Sequence, residues 1–240
     1  MKIEPKFEGK TAIVLGTGPS MNNEVVELVN HYRAKPDSPF RVFGINNVFQ
    51  LKVRLDVFFA CNPEWWDFYH TEPKIRYLRD NADLWTWDFE TAHQYALNWI
   101  PGKWSGGRRN VTSLSTDPSY IHYGHGAGYE VLGVAYHYGC RHFILAGYDL
   151  RYPTEYDRQT QNPGGKRHFF GEYPEALKHW PKVGRRGEMT GLLDCYKTID
   201  IDKLGLRITN TTPRTALDFF EVGELEKVLH ASYTTHLSVD

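Results

Sequence analysis

The stretch from residue 11 to residue 20, Thr-Ala-Ile-Val-Leu-Gly-Thr-Gly-Pro-Ser, constrains the fold of this chain more than any other. Its first half is apolar and partly β-branched, which predicts a strand buried on both faces. Gly16 and Gly18 end that strand because glycine permits positive φ and close backbone approach, and Pro19 suits the first turn of a helix. Apolar residues at helical spacing predict that helix over residues 22–30. The unpaired N–H groups of a strand–turn–helix unit favour an anion, and we expect a phosphate group.

The glycine turn alone does not decide between this site and an ordinary strand-to-helix turn of an α/β protein. It lacks the third glycine of the dinucleotide-binding fingerprint. It also lacks the Gly-Lys-Ser/Thr sequence that ends a P-loop. Both interpretations of the turn therefore stay open at this point.

Composition narrows the class of protein. A formal net charge of −1 over 240 residues gives no support to nucleic-acid or membrane binding through overall charge. The three cysteines lie far apart with no zinc spacing, which predicts a reducing, cytoplasmic location. No signal-peptide apolar region and no apolar run of membrane-spanning length is present, so we expect no membrane span. We expect residues 1–240 to form a single nucleotide-binding α/β domain.

Polar residues follow three further predicted strands. Asn46 comes after a strand over 40–45, Asn62 after one over 55–61, and Gly147-Tyr-Asp149 closes one over 142–147. In an open parallel sheet, ligands lie outside the carboxyl ends of the strands, so these residues should converge with the glycine turn. Asn and Asp also form turns, and for Asp149 a turn role and a role toward a ribose hydroxyl or a metal both stay open.

Strand and helix patterns alternate along the whole chain. This alternation predicts one doubly wound, Rossmann-like and mostly parallel sheet. A second glycine-rich stretch, residues 124–128, precedes a predicted helix over 129–138. The other predicted elements are a strand over 83–88, mostly loop and short helix over 89–122, an amphipathic helix over 189–204, a strand over 206–209 and a closing helix over 216–229.

Residues 151–181 are polar and without a regular period. A compact domain seldom contains so long a segment without a role, so we predict a lid or active-site loop. His168 titrates near neutral pH and is a candidate general base. Three glycine-rich basic loops, at 103–109, 164–168 and 182–186, either gather round an anionic substrate or are solvated.

Several short motifs, taken together in their order, resemble a known family. They are Gly-Thr-Gly-Pro-Ser-Met at 16–21, Val-Phe-Gly-Ile-Asn at 42–46, the stretch 58–63 that ends in Asn-Pro, Ala-Gly-Tyr-Asp at 146–149 and Asn-x-x-Pro at 210–213. Over roughly residues 10–220, the chain resembles the bacterial lipooligosaccharide sialyltransferases. It also resembles their wider relatives, which include archaeal-type hydroxymethylpterin pyrophosphokinases and many phage proteins.

The resemblance implies a set of residue roles. The nucleotide of a sugar donor would be held by Gly16, Gly18, Pro19, Ser20, Asn46 and Asn62, with Thr17 at the position where the family usually has Asn. Gly147 and Asp149 would contact the ribose, and His168 would deprotonate the acceptor hydroxyl. Tyrosines of the family help the phosphate to leave, and Tyr156 and Tyr173 lie in the corresponding stretch without a residue-level match. Apart from the resemblance, Arg167 is a further candidate for a phosphate or acceptor contact. His125 is a second candidate base, in a turn that departs from the family pattern and so leaves the donor base and sugar open.

Three functions follow from these residues. The favoured one is a metal-independent glycosyltransferase with a nucleotide sugar as co-substrate and no resident cofactor. The alternatives are a Mg²⁺-dependent pyrophosphokinase of the pterin type, with Asp149 near the metal, and a non-catalytic nucleotide-binding protein. Asp200-Ile-Asp202 is interpreted as surface polarity and not as a metal pair. The acceptor (glycan, small molecule or modified DNA) and homo-oligomerisation stay open.

Overall fold

The computed structural model describes residues 2–105, 112–151, 166, 168–177 and 186–238, with backbone only for 186–191. Its strands are β1 (Thr11–Leu15), β2 (Phe40–Ile45), β3 (Val57–Phe59), β4 (Asp83–Thr86), β5 (Asn98–Trp99), β6 (Gly102–Lys103), β7 (Ile121–His122), β8 (His142–Ala146), β9 (Arg207–Asn210) and β10 (Glu221–Val222). Its α-helices are α1 (Asn23–Ala34), α2 (Pro63–Tyr69), α3 (Pro73–Asn81), α4 (Phe89–Gln94), α5 (Ala127–His137), α6 (Arg186–Lys197), α7 (Ile201–Leu204) and α8 (Leu225–Leu237).

Eight strands form one sheet in the order β10-β9-β8-β1-β2-β3-β4-β5, and every neighbouring pair is parallel. Strands β6 and β7 form a separate parallel pair. The prediction of an α/β, Rossmann-like, mostly parallel sheet is confirmed. The chain runs outward from β1 to β5 and then returns to β8 on the other side of β1. The topological switch point, where such sheets bind ligands, therefore lies between β1 and β8.

The crossing direction of the chain explains why both faces of the sheet are covered. Right-handed crossovers place helices on opposite faces when the chain moves in opposite directions across a sheet, so α1 and α5 flank β1 from two sides. Residues 12–15 of β1 are fully buried, as their unbroken apolar sequence predicts. On one side α1 contacts α8 through Tyr32 and Tyr233, and on the other α5 contacts α6 through Tyr129 and Tyr196.

The helix after the glycine turn begins later than predicted. It starts at Asn23, and Asn22 is its N-cap, with Oδ1 accepting from the backbone N–H of Val25 at 3.0 Å. Pro19 and Ser20 form a turn outside the helix. The prediction of Pro19 in the first helical turn is therefore wrong, because the chain first crosses the edge of the sheet toward β8.

Other boundaries also differ from the sequence prediction. The closing helix is α8 and not residues 216–229, because Leu217 and Phe220 are buried by tertiary packing and β10 pairs with β9. The amphipathic segment 189–204 breaks into α6 and α7, where Asp200 caps α7 by accepting from the N–H of Lys203. Asp200 and Asp202 are exposed, as predicted for them.

Residues 89–122 contain more regular structure than expected, namely α4 and β5 to β7. Of the predicted lid over 151–181, only 151, 166 and 168–177 belong to the described residues. The single-domain organisation stays a prediction. Within the described part of the chain, every helix is too short or too polar to cross a membrane.

A bidentate ion pair joins α1 to the segment before β3. Arg33 Nη2 lies 2.7 Å from Asp56 Oδ1 and Arg33 Nε 3.1 Å from Oδ2, and Oδ2 also accepts from the N–H of Val42 at 2.7 Å. The two side chains are only 18% and 14% exposed. Through its contacts with Arg33 and Val42, Asp56 therefore joins α1 to β2.

We predict that Asp56→Ala lowers the free energy of unfolding by about 3 kcal/mol, because it leaves a partly buried guanidinium and a backbone N–H unpaired. The matched control is Asp194→Ala, which removes a 58% exposed pair with Lys197 and should cost less than about 0.5 kcal/mol. Chemical denaturation of both variants measures the difference. Equal losses in the two variants would contradict the prediction.

Candidate functional site

The glycine turn after β1 is bound to the end of β8. The N–H of Gly16 donates to the carbonyl of Ala146 at 2.8 Å, and the N–H of Gly18 donates to the carbonyl of Gly147 at 2.9 Å. Gly147 has φ of +75°, a conformation that favours glycine. The two predicted ligand segments, 16–20 and 147–149, therefore meet at the switch point.

Asp149 lies directly over the glycine turn. Its Oδ2 accepts from Ser20 Oγ at 2.7 Å, and a Cβ atom at residue 18 would lie 1.9 Å from the same oxygen. Gly18 is required there because any side chain would displace the carboxylate. Burial raises the pKa of Asp149, and the hydrogen bonds from Ser20 partly oppose that shift. In this arrangement the turn presents a hydrogen-bond acceptor, which suits a ligand hydroxyl better than a phosphate.

The Asn-x-x-Pro motif at 210–213 and the threonines beside it hold the backbone next to Asp149. Buried Asn210 accepts from the N–H of Thr212 and donates to Thr215 Oγ1. Thr212 and Thr215 in turn bind the backbone N–H and carbonyl of Tyr148. The motif therefore fixes the backbone that carries Asp149.

His168 lies against the same turn. Its Nδ1 is 3.2 Å from Thr17 Oγ1, and the N–H of Phe169 donates to the carbonyl of Thr17 at 3.2 Å. The imidazole stacks on Phe170 with ring centroids 4.8 Å apart, and Tyr173 packs against its edge at 5.4 Å. The structure thus brings together three residues that the sequence singled out, Thr17, His168 and Tyr173.

The segment 168–177 connects the glycine turn to α2. After His168 and Tyr173 it forms a 3-10 turn, Glu175–Leu177, that contacts α2, and Leu177 is buried. The pKa of Tyr173 is raised by burial and by the nearby Tyr69 and Cys61. The segment therefore passes across the carboxyl ends of the strands between β1 and β3.

Asn46 and Asn62 occupy the next two strand ends. Asn46 has φ of +45°, a left-handed conformation that asparagine tolerates, and its buried Oδ1 has no hydrogen-bond partner. Asn62 precedes α2 without capping it by its side chain, and its Oδ1 accepts from Cys61 Sγ at 3.3 Å. Asn46 therefore forms a turn, as its alternative interpretation proposed, and also carries an unsatisfied acceptor.

The amino terminus of α5 reaches the same edge. The carbonyl of Gly128 accepts from the hydroxyl of Tyr148 at 2.9 Å, so the helix start is joined to the end of β8. His125, in the turn before α5, is exposed and has φ of +62°. Its ring contacts Trp104 at 5.2 Å, whereas the ring of His168 contacts the glycine turn. Of the two candidate bases, His168 lies nearer the predicted nucleotide residues.

Glu130, in the first turn of α5, is a candidate site residue that sequence reasoning missed. Its carboxyl group is buried, and burial raises its pKa to about 7, an effect that the Gly124 backbone and the side chains of Cys61 and Trp87 partly offset. Burial and the proximity of Glu130 also raise the pKa of the Cys61 thiol. The available signal was one acidic residue inside the otherwise apolar run of α5.

A few buried polar side-chain atoms of the described residues have no hydrogen-bond partner within the usual geometric limits. Within the described residues, the buried side-chain atoms without a hydrogen-bond partner are Asn46 Oδ1, Trp87 Nε1, Tyr129 OH and Glu130 Oε2. Asn46 follows β2 and Trp87 follows β4, whereas Tyr129 and Glu130 lie in the first turn of α5. Because folded proteins pair roughly 90% or more of their buried polar groups with protein or ordered water, these atoms are candidates for a bond to a ligand or to a water molecule.

Two predicted contacts, Tyr156 and Arg167, lie outside the described residues. Across the part of the chain that is described, no group of three His, Cys, Asp or Glu side chains is arranged to hold a metal ion. A surface concavity of about 380 Å³ lies at the other end of α5, near His137 and Gly139. It contains none of the strand-end residues, so we place the site at the switch point.

Comparisons of the chain with protein-family models, with curated proteins and with solved structures find no significant match. The resemblance to the sialyltransferases therefore stays a prediction, and the function is argued from the site.

The raised pKa of Glu130 predicts a pH-dependent stability. Between its ordinary value of 4.5 and about 7, the folded protein binds a proton that the unfolded chain has released, so stability falls as pH rises through this window. Glu130→Gln removes that loss. We predict that the unfolding free energy of this variant, relative to the parent, rises by about 3 kcal/mol over the window and is constant above it.

The comparison between variant and parent isolates the glutamate. Burial lowers the pKa of His137 and His142 to about 4, so their titration makes the stability rise with pH. This contribution is the same in the variant and in the parent. Exposed Glu226→Gln is the control and should give a flat difference. Urea denaturation across this pH range measures the effect. A flat difference for Glu130→Gln as well would contradict the assigned pKa.

Proposed function

We propose that this protein is a nucleotide-sugar-dependent glycosyltransferase that needs no metal ion. The observation that carries the proposal is the contact of His168 with Thr17, inside a turn that also holds Asp149 at the switch point of a Rossmann-like sheet. Asp149, a hydrogen-bond acceptor for a ribose hydroxyl, and His168, a candidate base, both contact this turn, as a transferase requires.

The nucleotide would lie along the carboxyl ends of β8, β1 and β2. Asp149 would accept from a ribose hydroxyl, and the unpartnered Oδ1 of Asn46 would accept from a donor of the nucleotide or the sugar. Asn62, at the end of β3, would extend the contacts toward the sugar. Each of these roles follows from the atom that the side chain presents.

His168 would act as the general base. In the tautomer whose Nδ1–H donates to Thr17 Oγ1, the other ring nitrogen, Nε2, would accept the proton. The acceptor oxygen attacks the anomeric carbon as its proton passes to Nε2. The bond from that carbon to the phosphate oxygen breaks, and the electron pair leaves with the nucleotide. Tyr173, whose raised pKa keeps its phenol protonated, would donate a hydrogen bond to the departing phosphate.

Calorimetric titration with CMP, UMP, UDP, GDP and ATP, each with Mg²⁺ and with EDTA, tests the first step. Metal-free binding of one pyrimidine nucleotide supports the transferase and names its donor class. Binding of ATP only with Mg²⁺ would replace the proposal with the pyrophosphokinase. Tight binding without release of nucleotide from any nucleotide sugar would favour the non-catalytic binding protein.

We predict that the double variant Asn46→Ala, Asn62→Ala weakens nucleotide binding beyond detection, because it removes both strand-end amides. His168→Gln should leave the nucleotide Kd nearly unchanged and lower the rate of nucleotide release from the donor by about 10²- to 10⁴-fold. His230→Gln, on the exposed side of α8, is the matched control for both measurements. Unchanged affinity in the double variant would remove the proposed site.

A further inference from the structure

An apolar patch lies at the β5 edge of the sheet. Among the described residues, β5 pairs with β4 and has no strand on its other side. Helix α4 connects these two strands, and a hollow of about 370 Å³ lies between it and β5. We call the side chains that line this hollow the β5 patch; they are Phe89, Ala92, His93, Ala96, Leu97 and Trp99.

One aromatic side chain of the β5 patch projects into solvent. Phe89 is 61% exposed, the largest fraction among the large apolar side chains of the described residues. Its ring packs edge-on against Trp99 with centroids 5.1 Å apart, and Trp99 Nε1 donates to the carbonyl of Trp87 at 3.1 Å. The contact with a hydrogen-bonded indole therefore supports one side of the Phe89 ring and leaves most of the ring open.

The hollow beside this ring is lined by small side chains. Ala92 lies in α4 and Ala96 just after it, where the N–H of Leu97 donates back to the carbonyl of Ala92 at 2.9 Å. A helix that ends in this way usually has glycine at the position of Ala96, whose φ is +51°. Ala96 therefore adds a methyl group to the apolar lining at a cost in backbone conformation.

The charge of the β5 patch favours a second copy of this chain as the partner. Of the side chains that line the hollow, only His93 can carry a charge. Around a two-fold axis the same surface meets itself, so like charges would face each other, and a lining without Lys, Arg, Asp or Glu avoids that repulsion. The core of an interface between proteins is likewise poor in charge and rich in aromatic residues, whereas an anionic membrane or a nucleic acid attracts Lys and Arg.

We propose that the β5 patch is a two-fold symmetric contact between two copies of this chain, in which the Phe89 ring of each copy enters the hollow of the other. In such a contact each copy must offer both the projection and the hollow, and here the two are adjacent. A two-fold axis perpendicular to the sheet places the two β5 edges antiparallel and both α4 helices on one face. Such a dimer would form whether or not the chain is a transferase.

Sedimentation equilibrium of the full chain measures the association. We expect a dimer with a Kd below about 100 μM. Phe89→Glu puts a carboxylate in place of the buried ring, and Ala96→Arg fills the hollow, so each should raise the Kd at least about tenfold. Both positions are exposed in the folded chain, so both variants should fold, and far-UV circular dichroism checks this.

Phe219→Glu is the matched control. Phe219 is 41% exposed and lies just before β10, at the opposite edge of the sheet. The same change of a partly exposed phenylalanine to a carboxylate should leave the Kd within about twofold there, because this edge is outside the proposed contact.

Three results would overturn the proposal. They are a parent chain with a Kd above about 100 μM, a Kd that either Phe89→Glu or Ala96→Arg raises less than about tenfold, and a dimer that Phe219→Glu dissociates. The first result would leave the β5 patch to a partner other than a second copy. The third would place the contact at the β10 edge.

Discussion

The pairing of β1 with β8 is the interaction on which the rest of the site depends. Gly16 and Gly18 continue it past the last residues of the strands, through hydrogen bonds to the carbonyls of Ala146 and Gly147. The side chain that would otherwise fill this space is absent at Gly18, and the carboxylate of Asp149 occupies it instead. The strand order, the spacing of Gly16 and Gly18 and the position of Asp149 therefore depend on one another.

Two acids, the partly buried Asp149 and the buried Glu130, differ in the hydrogen bonds that their carboxyl groups accept. Asp149 has a hydroxyl and a backbone N–H from Ser20 directed at one oxygen. Glu130 has weaker partners and one oxygen with none, although the amino terminus of α5 favours negative charge there. A carboxyl group whose oxygens accept hydrogen bonds is held in one position, whereas a buried carboxyl oxygen without a partner lowers the stability of the folded protein. Such a destabilising group at the ends of β3 and β4 is consistent with a binding role, because functional sites commonly contain polar groups that lower stability.

The sequence predicts the parallel sheet well, because the sheet follows from apolar strands that end in Gly, Asn or Asp; that a ligand binds at this edge stays a prediction. It predicts boundaries poorly where tertiary packing decides them. Leu217 and Phe220 have helical spacing yet are buried as a turn beside β10. The pattern also singles out His168 as a titrating residue but not its contact with Thr17, which joins positions 151 residues apart. Glu130 and Trp87 escape sequence reasoning because a buried glutamate and a solvated one look alike in a helical pattern.

The segment 168–177 makes the position of His168 depend on a distant contact. One end is fixed by the hydrogen bond of Phe169 to Thr17, and the other by the burial of Leu177 where the segment contacts α2. Asn62 lies immediately before α2, so the candidate base and a candidate ligand residue are tied to opposite ends of one ten-residue connection. A ligand that moves α2 by contacting Asn62 would therefore also pull on the segment that carries His168. In the proposed transferase, binding of the donor at Asn62 and the placement of His168 would be coupled through this connection.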